Sequence, residues 1–494
     1  MNLRKEIDLL DEKLIDLYIE RLRLTDQVGE YKSNLGLNLE DKEREKEIVE
    51  RSIKTHPAYK EEIEGLYQEI FKTSKKRQEK IIVNNSLAYG LLGEHLGHSY
   101  SPEIHKFLGG YDYGLFEVKK DDLKNFLKRD QLKGLNVTMP HKINVLPYMD
   151  GLSYEAKKIG AVNTIKFKNN RLYGYNTDYY GVKKMILRKN IQIKNKKVLV
   201  LGTGATSQTV TAVLEDFQAK TIDYVSRKGP IDYENMYDLK DIEVIVNTTP
   251  VGMYPNNGIS LVDLSRFDQL EAVLDVIYNP FETRLVFDAK NMGLKASGGL
   301  AMLVYQAKKT VEIFLDKKIP DRECEKLIGK IYRQKRNIVL VGMPGSGKST
   351  IGRKVAKILD LDHIDTDRYF EDKFCMTPSQ AIKKFGEASF RDMEEEVVRE
   401  VGQMTNKVIS TGGGVVTRRN NHYPLKQNGY IIYVKRSVDK LSTRNRPLSQ
   451  GGPNHLLKME EQRREYYEEF ADIAVNNNRH FNLAVDKIIN IINN

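Results

Sequence analysis

Cysteine is nearly absent: the 494 residues hold two, Cys324 and Cys375, far apart and without the close spacing of a redox pair or a zinc site. A disulfide framework and a thiolate metal centre are therefore excluded, and a reducing, cytoplasmic setting is expected. Proline is sparse as well, 14 against 35 glycines, while 40% of residues are hydrophobic and 30% charged. That balance belongs to packed globular domains, not to a disordered or collagen-like chain. No apolar run approaches the roughly 18 residues of a membrane span; the longest are pieces such as VLVLG and IVLVGM. The start, MNLRKEIDLLDEKL, has neither the apolar core of a signal peptide nor the acid-poor look of a transit peptide, so neither export nor a membrane partner is expected. A basic tract is missing too. The net charge of +11 comes from 79 Lys and Arg interleaved with 68 Asp and Glu, a pattern that favours small anionic ligands over nucleic acid. Residues 1–85 hold 17 of these cations against 19 acids, so the positive excess lies beyond them.

The length predicts several domains, and the hydrophobic pattern divides the chain in three. In residues 3–32, Leu3, Ile7, Leu10, Leu14, Leu17, Leu24 and Val28 recur in steps of three and four, interrupted at Arg21. This is one long amphipathic helix. A break near Gly36, a charged helix from Glu40 to Lys54, a turn at His56-Pro57 and a third helix from Tyr59 to Ile82 complete an all-α unit over 1–85. From Leu87 short apolar strands (LAYGLLG, GLNVTM, KKVLVLG, TIDYVS, VIVNTT, AVLDVIY) alternate with helical stretches, the mark of an open α/β sheet over 86–335. A second α/β series, NIVLVG, HIDTD, KVIST and GYIIYVK, fills 336–494.

In the last unit, Gly342-Met-Pro-Gly-Ser-Gly347-Lys348-Ser349 fits G-x-x-x-x-G-K-[ST] between a strand and a helix, the context that marks a phosphate-binding loop. Backbone N–H groups of Gly345, Ser346, Gly347 and Thr350 can wrap phosphates, Lys348 neutralises them, and Ser349 can ligate Mg2+. Asp365 and Asp367 follow a strand two apart, as metal or substrate ligands or simply as a helix cap. Phe390-Arg391-x-x-Glu394, Gly412-Gly413-Gly414 and Arg446-Pro447-Leu448 supply guanidiniums and exposed N–H groups suited to a carboxylate. Together these motifs resemble shikimate kinase over residues 336–494. The resemblance implies ATP and Mg2+, with Asp365 on the metal, and Asp367, Arg391, Gly413, Gly414 and Arg463 on shikimate. Asp367 would orient or deprotonate the 3-hydroxyl, Arg446 would come from a lid and Arg444 would meet the adenine.

In the middle unit, KKVLVLG runs into Gly202-Thr-Gly204-Ala205-Thr206-Ser207 and a helix, a turn that can seat a pyrophosphate or be only a tight turn. The next strand ends in Ser226-Arg227-Lys228, and basic residues there favour NADP over NAD. Ser99 and Ser101 precede a helix as ligands or as caps, Lys142 sits on a strand-to-helix turn, and Asp178 at a helix start either acts or caps. The ordered series GHSYSP, NVTMPHK, GAVNT, YNTD, NTTPVGM, DVIYNP and GGLAMLVYQ resembles shikimate dehydrogenase over residues 87–333. That implies a substrate lobe of about 86–178 plus 299–335 and an NADP lobe of about 179–298. By resemblance Ser99 and Ser101 take the substrate carboxylate; Thr138, Asn163, Asp178 and Gln306 take its hydroxyls; Lys142 and Asp178 are the catalytic pair; Tyr278 borders the site. Ala205 and Thr206 stand where the family usually has a Gly-Gly pair.

In the first unit, Arg21 interrupts a leucine seam, which calls for an anion, and Ser74 and Gln78 continue the stripe of Ile63, Leu66 and Ile70. A plain helical dimerisation module would also give this pattern. The run LRxxIDxLDxxLxxLxxxRLxL and the later ERE resemble the all-helical chorismate mutase over residues 1–82. By resemblance Arg4, Arg21, Lys32, Asp41, Arg44, Glu45, Ser74 and Gln78 fall on active-site positions, Lys32 and Gln78 face the breaking ether bond, and the unit forms an intertwined homodimer. The expectation for the whole chain is a trifunctional enzyme that reduces 3-dehydroshikimate, phosphorylates shikimate and rearranges chorismate to prephenate. The alternative is a bifunctional enzyme with a chorismate- or prephenate-binding regulatory module at its start.

Overall fold

A computed structural model describes residues 2–35, 41–85, 87–97, 99–441 and 452–493. The chain divides into two compact units, one of residues 1–175 with 313–316, the other of residues 176–312 with 317–494. The expected order, helical, then α/β, then α/β, is the order observed.

In the first unit, helices α1 (Asn2–Leu35), α2 (Lys42–Thr55) and α3 (Lys60–Asn85) match the periodic segments; the Gly36 break lies outside the described residues. α2 starts because the Asp41 side chain accepts a hydrogen bond from the Arg44 N–H at 3.0 Å. α1 packs on α3 through polar groups: Arg77 forms a two-pronged ion pair with Asp26, and Thr25, Ser74 and Gln78 are buried. Leu3, Leu10, Leu14 and Leu17 are 75%, 62%, 58% and 65% exposed, and Ile7, Leu24 and Val28 also face outward. The leucine stripe is thus uncovered in the single chain, while the face holding Arg21 and Thr25 turns to α3.

A mixed sheet follows in the same unit, ordered β2-β1-β3-β5-β6-β4 from β1 (Tyr89–Gly93), β2 (Gly114–Glu117), β3 (Gly134–Val137), β4 (Gly151–Leu152), β5 (Thr164–Lys168) and β6 (Arg171–Tyr175). Strands β1 to β3 are parallel, and β5 and β6 form an antiparallel hairpin beside them. Leu92, Leu135, Val137 and Ile165 supply its core.

The second unit carries two all-parallel sheets. One is ordered β11-β10-β9-β7-β8, from β7 (Lys197–Leu201), β8 (Thr221–Val225), β9 (Val244–Asn247), β10 (Ala272–Asp275) and β11 (Lys295–Ser297). The other is ordered β13-β14-β12-β15-β16, from β12 (Asn337–Val341), β13 (Asp362–Asp365), β14 (Lys407–Ser410), β15 (Gly429–Lys435) and β16 (Ile473–Asn476). Central strands such as NIVLV are buried along their whole length, as helices on both faces require. In each sheet the chain leaves its first strand and returns on the other side, so a crevice opens at the carboxyl end of β7 and of β12. The glycine loops lie at those two points.

His105, on helix Ser101–Gly109, is fully buried, stacks on Tyr113 at 4.1 Å and lies 2.7 Å from the Tyr111 hydroxyl. Burial pushes its pKa down to about 3. A base with a lowered folded pKa contributes stability above its unfolded value, near 6.5, and loses it as pH falls toward 3. The melting temperature of His105→Phe should therefore rise relative to the unmodified chain as pH drops from 7 to 5 in thermal unfolding, and parallel curves would remove His105 from that dependence.

Candidate active sites

In the helical unit the Arg21 Nη1 donates to Ser74 Oγ at 2.8 Å, and Ser74 in turn donates to the Ile70 carbonyl at 2.8 Å. The Phe71 ring lies 6.0 Å from the guanidinium. Among the described residues Arg21 therefore meets a hydroxyl and a ring, not the anion its burial calls for. Gln78 is buried one turn beyond Ser74, and Glu45 pairs with Lys75 at 3.3 Å. Arg21 and Ser74 are thus brought together, with Gln78 one turn further along α3. Asp41 is occupied as the α2 cap, Arg44 reaches Glu47 at 3.0 Å on the surface, and Arg4 is exposed on the leucine-bearing helix.

In the mixed sheet, Thr138 follows β3 and its methyl lies 2.8 Å from where a Cβ on Gly93 would stand. Asn163 is buried and accepts from the Thr164 hydroxyl at 3.1 Å, while its carbonyl accepts from the Val137 N–H at 2.7 Å. Lys142 lies on the short helix His141–Asn144, whose backbone is tied to the strands by the Val162 N–H donating to the Lys142 carbonyl at 2.8 Å. Ser101 opens its helix, and the Ser99 hydroxyl accepts from the Ser101 N–H at 3.1 Å. Ser101 therefore does not cap the helix: Tyr100 holds the N-cap position without a side-chain hydrogen bond.

Asp178, Gln306 and Tyr278 belong to the second unit. Asp178 opens helix Asp178–Arg188, and Thr177 before it donates to Gln306 Oε1 at 3.3 Å and pairs with Thr310 at 3.0 Å. A Cβ on Gly181 would stand 2.6 Å from the Met302 carbonyl, so glycine lets these two helices touch. Burial raises the Tyr278 hydroxyl above the usual phenol range.

After β7, Gly202 has φ +97°, and a Cβ there would meet Thr249 and Thr248 at 2.9 and 3.1 Å. Gly204 precedes helix Ala205–Asp216, and a Cβ on it would meet nothing within 4 Å. That open helix start fits a pyrophosphate. Ser207 turns inward and donates to the Gly204 carbonyl at 2.6 Å, whereas Arg227 and Lys228 are exposed just past β8. Sequence reasoning missed Asp275, buried at the end of β10, which accepts from Asn247, Ile277 N–H and Thr283 and fixes the neighbouring turns. Its burial pushes the pKa up to about 6.

The phosphate loop follows β12. Gly347 has φ +99° before helix Lys348–Leu359, and a Cβ on Gly342, also at positive φ, would stand 2.6 Å from the Val434 carbonyl. The loop is closed behind by Asn477, which donates to the Ser346 carbonyl at 2.7 Å. Lys348 is buried and donates to the Gly342 and Met343 carbonyls at 2.7 and 3.1 Å. Among the described residues the Ser346 Oγ is buried without a partner. Such a cradle fits a nucleotide triphosphate.

A cavity of about 460 Å3 joins this loop to Asp367, Arg391, Gly413, Gly414 and Arg463. Arg391 is buried, bound to Glu394 at 2.7 Å and to Glu387 at 3.1 Å. Burial pushes the Glu394 carboxyl up, against the pull of Arg391. A Cβ on Gly412 would lie 2.9 Å from both Asp367 Oδ1 and Glu394 Oε1, and one on Gly414 only 2.3 Å from the Arg391 guanidinium. The three glycines are therefore required by the side chains beneath them. Arg463 donates to the Gly413 carbonyl at 3.2 Å, as does Tyr467. Asp365 caps helix Thr366–Phe374 by accepting from the Asp367 N–H at 3.1 Å. Arg444 and Arg446 lie outside the described residues. Glu394 and Asn477 were not singled out as site residues; the i,i+3 spacing of Arg391 and Glu394 signals the first, and no local pattern signals the second.

Three family models match the chain in order: chorismate mutase type II at residues 3–79, the shikimate dehydrogenase substrate binding domain at 91–165 and shikimate kinase at 344–493. The shikimate dehydrogenase (NADP(+)) of Clostridium beijerinckii is 41% identical over 247 residues, covering 46% of this chain and 91% of that protein. That of Clostridium perfringens is 41% identical over 261 residues, covering 49% and 96%. A solved chorismate mutase/shikimate 5-dehydrogenase fusion protein from Clostridium acetobutylicum is 40% identical, covering 49% of this chain and 96% of that one, with a TM-score of 0.47.

Removing one partner of a buried ion pair leaves the other uncompensated, at a cost of about 3–5 kcal/mol. Arg391→Met should lose stability on that scale in denaturant unfolding, and Arg391→Met with Glu394→Leu should recover most of it. Additive losses would mean the two residues do not act as a pair.

Proposed function

This chain belongs to the shikimate dehydrogenase family, with chorismate mutase and shikimate kinase regions on either side, and we propose how its residues run three reactions of the shikimate pathway. The polypeptide is a multifunctional enzyme of that pathway. The domain limits we assign are 1–85, 86–335 and 336–494. The observation that carries the reading is the single cavity joining the phosphate loop to Asp367, Arg391, Gly413, Gly414 and Arg463.

For phosphoryl transfer, Lys348 and the loop N–H groups hold the ATP phosphates and cancel their charge. Arg391 and Arg463 hold the shikimate carboxylate, and Asp367 orients the attacking hydroxyl or accepts its proton. Ser349, with Asp365, would hold Mg2+ against the phosphates. Protein groups do little covalent work; alignment and charge cancellation lower the barrier.

For reduction, NADPH supplies hydride when bound. Gly202, Gly204 and the helix start behind them fit its pyrophosphate, and Arg227 fits its 2′-phosphate. Ser99 and Ser101 hold the 3-dehydroshikimate carboxylate, with Thr138, Asn163 and Gln306 on its hydroxyls. Lys142 protonates the developing alkoxide, and Asp178 sets the hydroxyl it bonds.

For the chorismate rearrangement, Arg21 and the other cations hold the two carboxylates in a compact conformer, while Lys32 and Gln78 stabilise charge on the ether oxygen. The exposed leucine stripe of α1 supports a homodimer in which a second copy covers it and Arg4 reaches the partner site. No nucleic-acid partner is proposed.

Without nucleotide or metal, the purified chain should convert chorismate, and Arg21→Ala should lower kcat/KM at least a hundredfold; binding without turnover would make the helical unit a sensor. Lys142→Ala should lower only the NADPH-dependent rate, by about 10²-fold or more. EDTA should abolish phosphorylation alone, and retention of that activity in EDTA would remove Mg2+ from the account.

A further inference from the structure

Away from the three sites, the second unit holds a small polar chamber of about 60 Å3 where the last helix of the dehydrogenase region, Asp321–Lys335, meets the first strand of the kinase region. The Phe281-Glu282 turn and the end of β11 form one side, and Arg188, Lys189, Lys290 and Arg336 converge from three helix ends.

Two of these four cations are matched. Arg188 binds Glu325 through both carboxylate oxygens, at 2.8 to 3.1 Å, and Lys290 pairs with Glu282, which is buried. Lys189 and Arg336 leave the cluster with two positive charges in excess. Among the described residues the Arg336 Nε is buried without a hydrogen-bond partner, although the guanidinium lies 4.2 Å from the Tyr332 ring. Desolvation, then the charges of Lys290 and Arg188, hold the Lys189 ammonium below the usual lysine range. The Arg336 Nε is the buried donor that lacks an acceptor, and Lys189, exposed at the mouth of the chamber, adds a second unmatched positive charge.

We infer that this chamber is a binding site for a phosphate group, free or at the end of a small ester. The group is rich in acceptors, its oxygens point in four directions, and its charge offsets the excess. The volume suits one such group and is too small for a nucleotide. Arg336 is also the residue between the helix and β12, and β12 runs straight into the phosphate loop. A ligand here would pin the start of that strand.

The test uses the full chain equilibrated with saturating NADP+, a non-hydrolysable ATP analogue, Mg2+ and shikimate, so that the cofactor phosphate sites, the γ-phosphate position included, are filled. Inorganic phosphate and glycerol 3-phosphate are then titrated calorimetrically at fixed ionic strength. One saturable site is expected, weakened at least tenfold in Arg336→Met and in Lys189→Met, with all three reaction rates unchanged in phosphate-free buffer. Lys189 is exposed, so its variant keeps the test valid if Arg336→Met misfolds. Tighter binding of the ester would assign an ester, and equal or tighter binding of the inorganic ion would assign free phosphate. No saturable binding, meaning that the chamber holds only water, or equal affinity in both variants, would overturn the inference.

Discussion

The Arg391–Glu394 pair is the interaction on which the kinase site rests. Both side chains are buried, at 2.7 Å, and a charge so placed is tolerable only with its partner. The pair occupies the space under Gly412 and Gly414, so no side chain fits there, and the backbone comes down onto Asp367 and Arg391. It also fixes a guanidinium in the wall of a cavity that the phosphate loop shares. The side chains and backbone that line this cavity are thereby fixed by the fold itself. The helical unit uses a looser version: Arg21 is held by Ser74 and flanked by Phe71.

Within the second unit the cofactor and kinase regions are joined by polar contacts. Asn257 donates to Gln427 at 2.7 Å, the Glu282 N–H donates to the Gln427 carbonyl at 3.0 Å, and the Phe281 N–H donates to Asn428 at 3.3 Å. Phe287 meets His422 and Tyr423 edge-on at 4.9 and 5.5 Å. Phe281 and Glu282 lie in the turn before helix Arg284–Asn291, Phe287 on that helix and Asn257 in the loop after β9, and they meet helix His422–Lys426 and the turn before β15. The union is specific enough to bury amide groups, which a flexible tether would leave in water.

Local spacing made the phosphate loop, the Gly202 turn and the three helices readable, because each depends on residues within one turn or one repeat. Periodicity told which face of α1 is apolar but not that its own chain leaves that face bare. Placing Glu394 needed burial, and placing Asn477 needed a contact across 131 residues, which no local pattern carries. Of the capping alternatives one is real, since Asp365 does cap a helix, and one is not, since Tyr100 and neither serine stands at the cap of helix Ser101–Gly109. Strands β2, β4, β5, β6, β11 and β16 are not among the segments the sequence pattern marks; β4 and β11, of two and three residues, leave too little alternation to read.

The most direct measurement supplies the purified chain with 3-dehydroshikimate, NADPH, ATP and Mg2+ and follows nicotinamide oxidation and ADP release together. The account predicts that both proceed and end equal, with shikimate 3-phosphate as the product. Oxidation with shikimate accumulating and no ADP, or neither signal, would contradict it.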